Sequence, residues 1–206
     1  MGQRMSNKES RQPERLDPEI VLAAYRLGLF PMAESRTGPV SWYSPDPRAI
    51  IPLDAFNLPR SLKRTIRKGI FSVCLDTAFA EVIRLCAHRD ETWISEEIER
   101  TYVELFAKGY AHSVESWQGA LLAGGLYGIA VGGAFFGESM FSLRPDASKV
   151  ALAFLVDFLR ARGYALLDVQ FMNEHLRQFG TREIPRQEYL ARLGDAVRRD
   201  VRFLPA

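Results

Sequence analysis

Asp168 and Gln170 stand two apart in the run Leu166 to Gln170, LLDVQ, so in a strand both side chains emerge on one face while Leu167 and Val169 enter the other. A carboxylate only accepts hydrogen bonds, so Asp168 would hold the Gln170 side-chain NH₂ and leave the amide oxygen pointing outward as a fixed acceptor. Such an oxygen can position an attacking amine; the alternative is a polar strand face turned to water. Glu138 is a second candidate, set among Phe135, Phe136, Met140 and Phe141, where a carboxylate costs free energy unless it is paired or used. Its strand is a candidate site wall. His88, His112 and His175 share no spacing that makes a triad or a metal set and read as structural or surface residues. Cys74 and Cys86 lack CxxC or Cys/His ligand spacing, and Cys86 reads as a small core residue.

The elements that must position these residues follow from period and punctuation. Residues 120–130 and 134–142 read as two strands of a hairpin turning at Gly132-Gly133, a dipeptide that accepts positive φ. Residues 112–117 alternate as a strand and Gln118-Gly119 turns, which extends the hairpin to a three-strand antiparallel meander. Asp146 is placed to cap a long apolar helix over 147–162 closed by Gly163; a strand at 164–170, a short helix from Asn173 to Gly180 and a terminal helix from Pro185 through Val197 follow. Upstream, Asp17, Pro18 and Gly28 bracket a helix whose inner face would be Ile20, Ala24 and Leu27. Prolines 31, 39, 45, 47 and 52 leave only short strands and turns, with Trp42 and Tyr43 as expected core plugs. Asp76 would cap a helix with Phe79, Val82, Ile83 and Cys86 inward, and Ser95 another with Ile98, Tyr102 and Leu105 inward, ended by Gly109. The order predicts an α+β fold with a mixed sheet and helices packed on it.

At 206 residues the chain can bury a sizeable core, and its 47% apolar and 25% charged content are those of an ordinary soluble protein. A net charge of only +2 excludes a polycation, so any nucleic-acid contact must come from a local patch. Arg60, Lys63, Arg64 and Arg67 form the densest positive run; in a helix they share one face, either as a phosphate-binding patch or as a solvated surface. Two cysteines are too few for a disulfide scaffold and fit a reducing cytoplasm. The longest apolar stretch, residues 150–159, is interrupted by Asp157 and is too short for a membrane helix. Residues 1–15 are polar and charged, which predicts a disordered tail; the loose myristoylation pattern at 1–6 has no second membrane signal beside it.

The stretches GLFPM, WYSPDPRAIIP, TWI, AHSVESW, GGLYG, GESMFS, ASK and LLDVQ, in matching order from Leu16 to Leu193, resemble the leucyl/phenylalanyl-tRNA protein transferase family. Its members move Leu or Phe from aminoacyl-tRNA to a protein's N-terminal amine. The resemblance implies a small N-terminal α/β domain over 16–68 and, over 69–206, a catalytic domain like the N-acetyltransferase superfamily, with a mostly antiparallel mixed sheet flanked by helices. That superfamily's coenzyme A pyrophosphate loop, R/Q-x-x-G-x-G/A, is replaced here by Arg144-Pro145-Asp146-Ala147-Ser148-Lys149, which disfavours an acyl-CoA donor. By resemblance Asp168 and Gln170 are the catalytic pair, and Trp93 is the stacking platform for the terminal adenine with Tyr25 and Tyr102 near it. Met32 stands where some members have tryptophan and would cover the adenine through its sulfur. Leu126, Met140 and Leu155 match the apolar slot for the Leu or Phe side chain, and Glu138 would anchor the polar part of the aminoacyl-adenosine. Arg60, Lys63, Arg64 and Arg67 become tRNA phosphate contacts.

An aminoacyl ester is already activated, so the implied reaction needs no cofactor and no metal; orientation of a neutral amine is the main requirement. The implied partners are Leu- or Phe-tRNA and proteins beginning with Lys or Arg, marked thereby for N-degron degradation, with no membrane contact and a cytoplasmic monomer. The alternatives are an acyl-CoA-dependent N-acyltransferase and a non-catalytic RNA-binding module.

Overall fold

The computed structural model describes residues 15–204; the myristoylation pattern at 1–6 and all of the expected tail at 1–15 except Arg15, which pairs with Glu104, lie outside them. In chain order the elements are α1 (Pro18–Arg26), β1 (Phe30–Ala33), β2 (Val40–Tyr43), β3 (Arg48–Ile50), α2 (Arg60–Arg67), β4 (Ser72–Leu75), α3 (Phe79–Ala87) and α4 (Glu96–Ala107). There follow β5 (Ala111–Gln118), β6 (Leu121–Val131), β7 (Ala134–Ser142), α5 (Ala147–Arg162), β8 (Leu166–Gln170), α6 (Glu174–Arg177), β9 (Arg182–Ile184) and α7 (Arg186–Val197). The fold is mixed α+β. A seven-stranded sheet runs β4-β5-β6-β7-β8-β3-β9, and β1 with β2 makes a separate two-stranded sheet. Only the β7–β8 pair is parallel, so β3, which precedes residue 68, is an antiparallel member of the large sheet between β8 and β9.

Alternation along the central strands builds two cores. Tyr127, Ile129 and Phe136 face a cluster shared with α1, α3 and α4 through Val21, Tyr25, Val82, Ile83, Ile98 and Tyr102. Leu126, Ala130 and Phe135 face the other way, onto Val150, Leu152, Leu155, Val156 and Leu159 of α5. The period of two thus serves both faces of one sheet, each covered by helices. The β6–β7 turn has positive φ at Gly132 and not at Gly133, the pattern of a type II′ turn. Among the described residues no helix is long and apolar enough to cross a membrane.

Four local expectations are corrected. On α1 the buried face is Val21, Leu22, Ala24 and Tyr25, whereas Ile20 and Leu27 are exposed at 58% and 67%; both sets have helical spacing, and the bulkier continuous one took the core. Trp42 and Tyr43 are exposed because β2 pairs only with β1, outside the large sheet. Asp76 does not cap α3: at φ 58° it turns back to accept from the Ser113 amide and to pair with His112. Glu115 accepts from the Ala78 amide instead, satisfying a donor at the start of α3 from a neighbouring strand. Asp146 precedes α5 as expected but makes no capping bond; its carboxylate takes Thr65 and Lys149.

Parallel pairing of β7 with β8 covers only Ala134↔Leu166, Phe135↔Leu167 and Phe136↔Asp168. Beyond that point, Gly137 to Ser142 on one strand and Val169 and Gln170 on the other line a cavity rather than each other.

Candidate active site

Arg48 and Asp168 are both fully buried, and β3 lies beside β8 so that Arg48 meets Asp168 through Nε at 2.9 Å and Nη2 at 2.7 Å. Two parallel N–H···O contacts are the strong fork geometry of guanidinium and carboxylate. The guanidinium is sandwiched between the rings of Phe30 and Tyr189, at 4.6 and 4.5 Å, and its Nη1 donates to the Gly28 carbonyl. Tyr189 also donates its hydroxyl to Asp168 at 2.7 Å, and burial, then the Asp168 charge, raises the phenol so that it stays a donor.

This arrangement corrects the expected side-chain bond from Gln170 to Asp168. Asp168 accepts from the Gln170 backbone amide at 2.9 Å, while the Gln170 side-chain NH₂ donates to Glu138 at 3.1 Å. The reason is backbone conformation: Gln170 sits at φ 59°, left-handed for a non-glycine residue, which turns its side chain off the strand's regular face toward β7. The amide oxygen remains free of a described partner, held by Glu138 instead of Asp168.

Glu138 lines the cavity and accepts from Tyr25 at 2.7 Å and Tyr102 at 3.4 Å as well as from Gln170. Burial, which outweighs the lowering by the Tyr25 hydrogen bond and is reinforced by the Asp168 charge, pushes its carboxyl up to about 8. Tyr25 and Tyr102 are themselves buried, their hydroxyls touch, and burial raises both phenols far above their ordinary value. Neither ring lines the cavity; Tyr25 and Tyr102, expected near the Trp93 platform, pack in the same core cluster as Trp93 and reach the site through the hydroxyls that hold Glu138.

The cavity has a volume of about 450 Å³, within the range of small-molecule sites. Trp93 and Met32 line it together, brought side by side by the Ala33 amide donating to the Trp93 carbonyl at 3.0 Å. Leu126, Met140 and Leu155 also line it, joined by Leu152, Leu167 and Leu176. His175 is on the lining too; burial, then the Lys149 charge, lowers its imidazole, and its buried Nε2 has no hydrogen-bond partner. A second, more open space of about 930 Å³ adjoins the first through Arg89 and Trp93. On α2 only Leu62 is buried; Arg60, Lys63, Arg64 and Arg67 are exposed and form no salt bridge among the described residues.

Sequence reasoning missed Arg48 and Tyr189. Arg48 carried the same signal as Glu138, a charge inside the apolar RAII run. Tyr189 carried none, since a tyrosine on the inner face of α7 beside Leu193 and Ala196 reads as ordinary packing.

The family model described as "Leucyl/phenylalanyl-tRNA protein transferase" matches residues 50–194, and the model for that family's N-terminal domain matches 14–46. Proteins named leucyl/phenylalanyl-tRNA–protein transferase are similar along nearly their whole length. The one from Chlorobaculum parvum is 54% identical over 190 residues, 90% of this chain and 98% of that protein. Those from Rubrobacter xylanophilus and Gloeobacter violaceus are each 55% identical, covering 92% and 91% of this chain and 99% and 97% of their own. The solved structure of L-PGS from Bacillus licheniformis aligns at TM-score 0.40 and 12% identity over 79% of this chain and 56% of that one, a likeness too slight to bear on the fold.

Proposed function

The chain belongs to the leucyl/phenylalanyl-tRNA protein transferase family and is an aminoacyltransferase, and from that premise we propose how its cavity works. The donor is an aminoacyl-tRNA carrying Leu or Phe, the acceptor is the N-terminal α-amine of a protein beginning with Lys or Arg, and the product is marked for N-degron degradation. The observation that carries this reading is the Gln170 amide, fixed through its NH₂ by Glu138 at the wall of a cavity that also presents leucines, methionines and Trp93.

In this reading the donor's side chain fills the slot of Leu126, Met140 and Leu155, and its adenine lies against Trp93 and Met32. Stacking on such a surface contributes ~1–3 kcal/mol per base. The Gln170 amide oxygen accepts from the incoming amine and aims its lone pair at the ester carbonyl. Asp168 holds the Gln170 backbone, Arg48 and Tyr189 hold Asp168, and so the oxygen is placed before substrate arrives. Orientation of this kind removes several kcal/mol of barrier with no metal or nucleotide. The exposed cations of α2 would contact tRNA phosphates.

The test mixes labelled Leu-tRNA with an Arg-starting peptide in the absence of coenzyme A. Label in the peptide is the expected outcome. Label that stays on tRNA, with transfer seen only from an acyl-CoA, would sink the reading.

A further inference from the structure

We infer that Glu138 receives a proton from the acceptor's α-ammonium, converting it to the neutral amine that Gln170 then orients. The inference rests on the transfer reading above and adds to it the missing proton acceptor. Peptide bond formation must strip the acceptor nitrogen of charge before its lone pair can attack, and the Gln170 amide cannot take a proton near neutral pH.

Two carboxylates stand close to Gln170, and their surroundings differ. Asp168 is matched by Arg48 and is not on the cavity lining. Glu138 is on the lining and forms no salt bridge among the described residues. Its three described partners are the uncharged donors Tyr25, Tyr102 and Gln170, which fix its oxygens in place and bring no charge. A half-buried carboxylate with no cation beside it is held at a cost that a ligand bringing the cation would relieve. The charge it lacks is that of an ammonium.

The groups that face Glu138 leave it free for this task. Arg48 of β3 and Asp168 of β8 offset one another. Arg89, after α3, is bound to Ser139 and the Met140 carbonyl. Tyr25 of α1, Tyr102 of α4, Tyr127 of β6 and Tyr189 of α7 all have raised phenols and cannot compete for the proton. The Glu138 carboxyl, pushed up to about 8, is close to an α-amine in proton affinity.

An ammonium N–H proton passes to a Glu138 oxygen, and the freed lone pair forms the C–N bond at the ester carbonyl. The bond from that carbon to the ribose oxygen breaks, and this oxygen leaves as a hydroxyl with the second proton lost by the amine. Glu138 returns its proton to water once product departs.

The experiment measures single-turnover transfer from preformed leucyl-tRNA to Arg-starting peptides for wild type and Glu138→Gln. E138Q is expected to lose about 10²–10⁴-fold at neutral pH, the span of general-base contributions. Its remaining rate should climb as pH rises through the titration of the acceptor amine, since free amine then comes from solution. A parallel arm uses 2-hydroxyacyl-tRNA, whose donor has no α-amine. The loss should persist there; its disappearance would mean that Glu138 serves the donor's ammonium and would overturn the proposal, as would a wild-type rate in E138Q. Should E138Q fail to fold, wild type decides with two peptides whose α-amines titrate differently. A bell whose falling limb follows the acceptor and whose rising limb stays fixed supports the proposal, and a rate that only rises with the acceptor's titration overturns it. Failure of wild type to transfer at all would strike the underlying reading, and with it the proposal.

Discussion

Gln170 is tied at both ends, its backbone N–H to Asp168 at 2.9 Å and its side-chain NH₂ to Glu138 at 3.1 Å. The strand that carries it ends in a left-handed residue, and the two carboxylates on either side convert that bend into a fixed orientation of one amide oxygen.

Because Gln170 sits at φ 59°, glycine suits its backbone better than alanine or valine. Gln170→Gly should therefore keep stability within about 1 kcal/mol while abolishing most transfer, and Gln170→Val should lose both. Thermal melts run beside single-turnover assays separate the two outcomes; near-normal transfer by Q170G would remove Gln170 from the reaction.

Arg48→Met leaves Asp168 buried without its cation, and breaking such a pair from one side costs ~3–5 kcal/mol. Asp168→Ala does the reverse damage, so its loss of activity will carry a stability component that Q170G lacks. The double variant Arg48→Met/Asp168→Leu should regain much of the stability and none of the activity. Urea unfolding measures all three, and an R48M midpoint equal to wild type would contradict the pairing.

Stability should fall with rising pH through Glu138. Its carboxyl is raised in the folded state, so the protein binds this proton more tightly folded than unfolded. The contribution is complete below the ordinary carboxylate range, near 4.5, and is lost as pH climbs toward about 8. At pH near 8.5 Glu138→Gln should melt higher than wild type, by ~2–4 °C for each kcal/mol relieved, and the difference should vanish in acid. Melting curves at the two pH values decide the point.

Donor choice should turn on branching at Cβ. If the cavity takes the donor's side chain as proposed, the long flexible walls of Leu126, Met140, Leu152, Leu155 and Leu176 should admit Leu or Phe and leave least room at Cβ. Single-turnover transfer from Ile-tRNA is expected to be roughly 10–200-fold slower than from Leu-tRNA, the range a single misplaced methyl commands. Leu155→Trp, which shortens the slot, should lower the Phe-to-Leu ratio further.

Reversing Lys63 and Arg64 on α2 should weaken tRNA binding and flatten its salt dependence, by roughly 0.7–0.9 in slope for each phosphate that is no longer neutralised. Leu-versus-Phe preference should not change, because phosphate contacts position without specifying. A salt titration of Lys63→Glu/Arg64→Glu with an unchanged slope would make α2 a solvated face.

What the residues determined alone was whatever depends on near neighbours in the chain. The meander, the Gly132 turn, the Ser95 and Asn173 caps and the exposed cations of α2 follow from periods and end signals spanning a few positions. Glu138 was legible for the same reason, as a charge inside an apolar run. The partners of the site were not legible. Arg48 reaches Asp168 across 120 positions and Tyr25 reaches Glu138 across 113, so only the insertion of β3 beside β8 and the packing of α1 on the sheet could bring them together. The period-two rule put the Asp168 and Gln170 side chains on one face, and the tertiary structure overrode it: once Arg48 and Tyr189 had filled the Asp168 carboxylate, the left-handed bend at residue 170 turned the glutamine toward Glu138, the acceptor that remained.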